Sequence, residues 1–147
     1  MADRIGTLVI FGAGGDLAKR LLLPGLAGLL ASGRGGDFRL IGVDRDPMTD
    51  GAWRERVASS FEAGSAGGGR PAAVAAASHY LQADVTKPDD LKRVIDACTG
   101  TPALYFALPP QFTILACKAL EKVALPEGTV LGLEKPVTPD LVASCVS

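Results

Sequence analysis

Gly12, Gly14 and Gly15 follow directly on the short apolar run 7–11, and Asp16 and Leu17 come next. Glycines at the end of a strand and the start of a helix suit a phosphate. The chain turns sharply, side chains stay out of the way, and backbone amides at a helix N-terminus face the anion. Gly12 suits the sharp turn, Ala13 follows it, and Gly14 or Gly15 gives the backbone its close approach. The spacing departs from GxGxxG, because Leu17 stands where the third glycine belongs. Taken alone, the pattern also describes a glycine turn that merely closes a β-α unit.

Four other groups carry usable chemistry. Asp44 and Arg45 end an apolar run. An acid there accepts ribose hydroxyls and suits NAD, whereas an arginine pairs with a 2′-phosphate and suits NADP. Both choices stay open, beside the plainer one of two solvated loop charges. Asp84 and Val85 end the next run, where the acid suits the amino edge of an adenine or simply complements a helix dipole. Leu108, Pro109 and Pro110 end a wholly apolar run. Glu134, Lys135 and Pro136 end the last one, and a Lys135 ammonium fixed there suits a substrate phosphate or hydroxyl, if it is not just a solvated turn. His79 reads as structural, and Trp53 and Phe61 as core. No Ser-His-Asp set, Walker lysine or zinc cluster is present.

The elements that must position these residues alternate. Strands are expected at about 7–12, 38–43, 79–83, 103–108 and 129–133. Helices are expected at about 16–32, kinked at Pro24, at 50–63 with Trp53, Val57 and Phe61 on one face, after a Thr86 cap and Pro88, and at 111–123. Another begins near Asp140. The stretch 64–69, rich in glycine, reads as a loop. Strands that are near-continuous apolar runs belong in a parallel sheet covered on both faces. Right-handed crossovers then give an α/β, doubly wound, Rossmann-like dinucleotide-binding domain over residues 1–147. Ligands of such folds sit at the carboxyl ends of the strands, where every group named above falls.

Composition narrows the partners. The 147 residues suit one domain, and an apolar share of 48% supplies its core. A net charge of −1 with scattered Lys and Arg gives no case for nucleic acid or a membrane surface. Cys98, Cys117 and Cys145 lie far apart with no CxxC spacing, and the single His79 cannot complete a metal site with them. They are expected as free thiols in the cytoplasm. The apolar run after Asp3 and Arg4 is too short for a signal peptide or a membrane span.

Together these pieces resemble the N-terminal coenzyme domain of the glucose-6-phosphate dehydrogenase family. That family opens with Gly-Ala-Ser-Gly-Asp-Leu-Ala-x-Arg-Lys-Leu-x-Pro, and this chain has the corresponding stretch from Gly12 to Pro24. Gly42 and Arg45 match its strand-two end, Ala107 to Pro110 its Ala-Leu-Pro-Pro, and Leu133 to Pro136 part of its Val-Glu-Lys-Pro-Phe-Gly. The matches run in order over nearly the whole chain. The resemblance implies oxidation of glucose 6-phosphate to its lactone, with hydride passing to NADP. It implies that Gly12, Gly15, Asp16 and Leu17 line the pyrophosphate turn, that Arg45 faces the 2′-phosphate, and that Pro109 and Glu134 flank the nicotinamide. Lys135 would touch substrate and cofactor and is the nearest to a catalytic residue. A homo-oligomer is compatible with it.

Departures accompany the match. The family's serine is Gly14, a basic residue is Leu21, and the alanine before the strand-two arginine is Asp44, which admits NAD. The family's substrate domain and its catalytic histidine, in Arg-x-Asp-His-Tyr-Leu-Gly-Lys, lie beyond Ser147. Without that base, the chain alone is expected to bind cofactor but not to turn over. Two alternatives stand beside this reading: a non-catalytic nucleotide-binding or regulatory module, and a fragment of an extended short-chain dehydrogenase. The latter needs Tyr-x-x-x-Lys, whereas Tyr80 is followed at that distance by Asp84 and Tyr105 by Pro109.

Overall fold

The computed structural model describes residues 5–15, 38–63, 69–126 and 128–133. Five parallel strands form one sheet: β1 (Ile5–Phe11), β2 (Arg39–Asp44), β3 (His79–Gln82), β4 (Thr101–Phe106) and β5 (Val130–Leu133), in the order β3-β2-β1-β4-β5. Among the described residues the helices are α1 (Asp50–Ala63), α2 (Gly69–Ala77), α3 (Pro88–Asp96) and α4 (Pro110–Leu120). β1 lies at the centre, with Val9 paired to Ile41 on one side and Leu104 on the other. The order reverses between β1 and β4, which opens a crevice at the strand ends.

Alternation along the strands sorts the core. Ile10 and Leu40 pack with Trp53, Val57 and Phe61 of α1 and with Ala75 of α2. Val9, Phe11, Ile41 and Val43 point the other way, onto Leu91 and Val94 of α3 and Ala116 and Leu120 of α4. On that second face Phe11 and Phe106 stack with ring centroids 4.9 Å apart. On the first, the Trp53 indole lies flush on β2 at Gly42, where a Cβ would fall 2.6 Å from the ring. Thr49 starts α1, its hydroxyl accepting from Ala52 N at 3.0 Å.

Several boundaries differ from the sequence expectations. The first, second and fourth strands are Ile5–Phe11, Arg39–Asp44 and Thr101–Phe106, and the last helix ends at Leu120. α2 was not expected; its alanines carry high helix propensity but too little side chain to mark a face. Thr86 does not cap α3. Lys87 holds that position with Pro88 following, because the Thr86 hydroxyl is taken by Asp84 two residues earlier. The expected helices at 16–32 and from Asp140 lie outside the described residues. Cys98 is a free thiol, but Cys117 is disulfide-bonded, against the expectation of three free thiols. Such a bond forms by proximity in space, which local motif spacing does not report.

Candidate functional site

The glycine turn after β1 is held from three sides. Gly12 has φ +89, and a Cβ there would lie 2.3 Å from Ala107 O, so the turn runs against the end of β4 in a conformation only glycine takes readily. From the second side, Val43 O of β2 accepts from Gly12 N at 2.9 Å and from Ala13 N at 3.1 Å. Asp44 Oδ2 accepts from Gly14 N at 2.9 Å, and Gly15 N closes the turn onto Gly12 O at 2.9 Å. The third side is α1, from which Arg56 Nη2 donates to Gly14 O at 3.1 Å and to Gly15 O at 2.9 Å. The amides of Gly12 to Gly15 therefore all have partners within the protein. This part of the turn is a rigid scaffold, not a set of free anion donors as its glycines suggest.

A cavity of about 380 Å³ opens at the carboxyl ends of the first four strands. Gly12 and Gly15 line it from the turn, Asp44 and Arg45 from the end of β2, and Ala83, Asp84, Val85 and Thr86 from the end of β3. Ala107, Leu108 and Pro109 close it after β4, with Phe112 of α4. The structure thus brings together Gly12, Gly15, Asp44, Arg45, Asp84, Val85, Leu108 and Pro109, eight of the residues singled out in the sequence. Ala13 and Gly14 are not in the lining. Ala13 is fully buried in the core, and Gly14 faces Asp44. Asp16, Leu17, Glu134 and Lys135 lie outside the described residues.

The acids of the cavity are tethered. Asp84 Oδ1 accepts from Thr86 N at 2.9 Å and from its hydroxyl at 2.6 Å. These bonds, with Lys87 and Arg45 nearby, hold the Asp84 carboxyl below its usual range. Asp84 N in turn donates to Asp90 Oδ2 at 2.8 Å, joining the end of β3 to α3. Gln82 Nε2 donates to Arg45 O at 3.0 Å, which fixes the backbone carrying Arg45. The lining matches a nucleotide in kind. Its apolar part suits the faces of a base, its carboxylates suit hydroxyl and amino donors, and its glycines leave room for a phosphate chain.

Other residues serve the frame. His79 opens β3 outside the cavity, with Nδ1 3.3 Å from Asp50 Oδ2, in the structural role expected of it. Tyr80 donates its hydroxyl to Asp46 O, behind the end of β2. Sequence reasoning missed Arg56, the Gly14–Asp44 bond, Ala83 and Phe112. Of these, Phe112 had a signal, since it lies in the first turn of the helix that Pro109 and Pro110 start. Among the described residues, no group of three or more His, Cys, Asp or Glu could hold a metal ion, and no helix is long and apolar enough to cross a membrane.

Comparison with known proteins agrees with this geometry. The family model described as glucose-6-phosphate dehydrogenase, NAD binding domain, matches residues 9–146. Glucose-6-phosphate 1-dehydrogenase of Zymomonas mobilis is 31% identical, over 98% of this chain and 32% of its own length. The Schizosaccharomyces pombe enzyme of the same name is 29% identical, over 92% of this chain and 30% of its own. The crystal structure of glucose-6-phosphate 1-dehydrogenase from Mycobacterium avium superposes with a TM-score of 0.81 at 25% identity, covering 97% of this chain and 34% of that one. The chain spans about a third of the length of the curated relatives it matches. With its parallel sheet, its glycine turn and a match over nearly all its residues, the chain belongs to the NAD-binding domain family of glucose-6-phosphate dehydrogenase.

Proposed function

We propose that this chain is the coenzyme-binding part of an oxidoreductase that oxidises glucose 6-phosphate to its lactone, the opening step of the pentose phosphate route. The observation that carries the reading is the cavity at the carboxyl ends of the strands, walled by the glycine turn of the family. When bound, a nicotinamide dinucleotide supplies the hydride acceptor. The chain's own part is to hold and orient it. Gly12 and Gly15 leave space for the pyrophosphate, Asp84 and Val85 take the adenine side, and Leu108 and Pro109 wall the path toward the nicotinamide. By the family resemblance, Glu134 and Lys135 stand at the reacting end, with Lys135 touching substrate and cofactor together. NADP through Arg45 and NAD through Asp44 both fit, since the two residues stand side by side.

Calorimetric titration of the chain with NAD and with NADP tests the binding role. Saturable binding of at least one is expected, and absence of both at millimolar concentration would sink it. Lactone formation is expected only when the family's histidine-bearing substrate domain is joined to the chain. Turnover by this chain alone would show that it carries its own base.

A further inference from the structure

Asp44 stands at the end of β2 with both carboxylate oxygens engaged. Oδ2 accepts from Gly14 N at 2.9 Å and Oδ1 from Arg45 N at 2.8 Å. A Cβ at Gly14 would lie 3.0 Å from Oδ2, a tight contact that the carboxylate would relieve only by shifting a few tenths of an ångström, so the glycine lets the acid sit close to the turn. The two amide bonds fix the carboxylate in the cavity wall. Each oxygen keeps a further lone pair for a ligand hydroxyl. Swinging the carboxylate aside means giving up both amide bonds, exchanged here for bonds to water because this end of the turn is exposed.

Local charge acts in the same direction. Among the described lining residues, Asp44 and Asp84 set two carboxylates against the one guanidinium of Arg45. Arg45 is exposed, and part of its field falls on Asp84. Asp46 follows immediately, and Asp44 and Asp46 add to burial in pushing the Tyr80 phenol up to about 12. At the end of β2 the fixed charge in the cavity wall is thus the Asp44 carboxylate, with the exposed Arg45 guanidinium beside it. A ribose 2′-hydroxyl entering there donates a hydrogen bond to a fixed acceptor. A 2′-phosphate brings ~1.5 to 2 further negative charges against that same acceptor.

We infer that Asp44, seated by Gly14, is the specificity-determining residue of the cofactor site and makes this chain select NAD over NADP. The inference rests on the cavity being a dinucleotide site, and the experiment separates the two. In calorimetry on the unaltered chain, NAD is expected to bind at least about tenfold more tightly than NADP. Asp44→Asn keeps an oxygen for the Gly14 N–H and removes the charge, so the ratio should move toward NADP by about tenfold. Asp44→Ala should move it further. Tighter binding of NADP by the unaltered chain would overturn the inference, as would an unmoved ratio in Asp44→Asn. Should Asp44→Ala not fold, as judged by circular dichroism, adenosine 2′-monophosphate against adenosine on the unaltered chain makes the same comparison, with adenosine expected to win. Binding of neither dinucleotide would overturn the site itself, and the inference with it.

Discussion

Arg56 reaches two consecutive carbonyls of the glycine turn with one guanidinium nitrogen, and its Nε is buried without a hydrogen-bond partner. An arginine tolerates that only where its charge is well used. Pinning the oxygens of Gly14 and Gly15 fixes the peptides of the turn before any ligand arrives. Arg56→Met keeps the apolar stem and removes the donors. The expected result is a loss of about tenfold in dinucleotide affinity by calorimetry, from charge-assisted bonds worth ~1.5–3 kcal/mol, while affinity for adenosine, which lacks the pyrophosphate, changes little. Titrating side chains give a second expectation. Burial, then Asp44 and Asp46, raise the Tyr80 phenol from 10.0 to about 12. The folded state holds that proton more tightly, so its stability falls as pH climbs from about 10 to about 12. Asp84 is shifted the other way, below 3.8, by its bonds to Thr86. Its contribution is complete above that value and is lost as pH falls through the lower folded value. Chemical denaturation across pH should show both limbs, with Tyr80→Phe flattening the alkaline one and Asp84→Asn the acid one. Burial pushes the Cys98 thiol up to about 11, so alkylation of Cys98 at neutral pH should be slow until the chain unfolds.

At the scale of elements, α1 unites fold and site. One face buries Trp53, Val57 and Phe61, and another sends Arg56 to the turn. The buried face was legible in the sequence as a spacing of four. Arg56 was not, because a charge on a helix looks the same whether it meets solvent or a carbonyl forty residues away. The Gly14–Asp44 bond was hidden for the same reason, since the two residues stand 30 positions apart in the chain. The ends of the strands were legible to within two residues, because glycine, proline and acid punctuate the apolar runs. α2 escaped, since a run of alanines has no polar-apolar rhythm to read. Trp53→Ala should cost ~3–5 kcal/mol, as for other large aromatic truncations in a core, measured by denaturant unfolding. Gly42→Val should destabilise as well, by driving the indole off β2.

For the molecule as a whole, the central place of β1 is decisive. It contacts β2 and β4 at once, so a single turn at its end touches both halves of the sheet. A ligand seated there ties the halves together. Saturating NAD at ~100 times its dissociation constant should stabilise the chain by ~2.7 kcal/mol, visible as a rise in melting temperature that Gly12→Ala abolishes. The contact of Gly14 with Asp44 also constrains how this chain could have diverged. The family resemblance places serine and alanine at these two positions. An acid at 44 facing a β-carbon at 14 would meet that carbon 3.0 Å from its oxygen, a tight but adjustable contact, whereas glycine at 14 leaves the close approach open. Restoring a side chain at 14 beside Asp44 therefore asks the carboxylate to give way by a few tenths of an ångström, which loosens its grip on the turn.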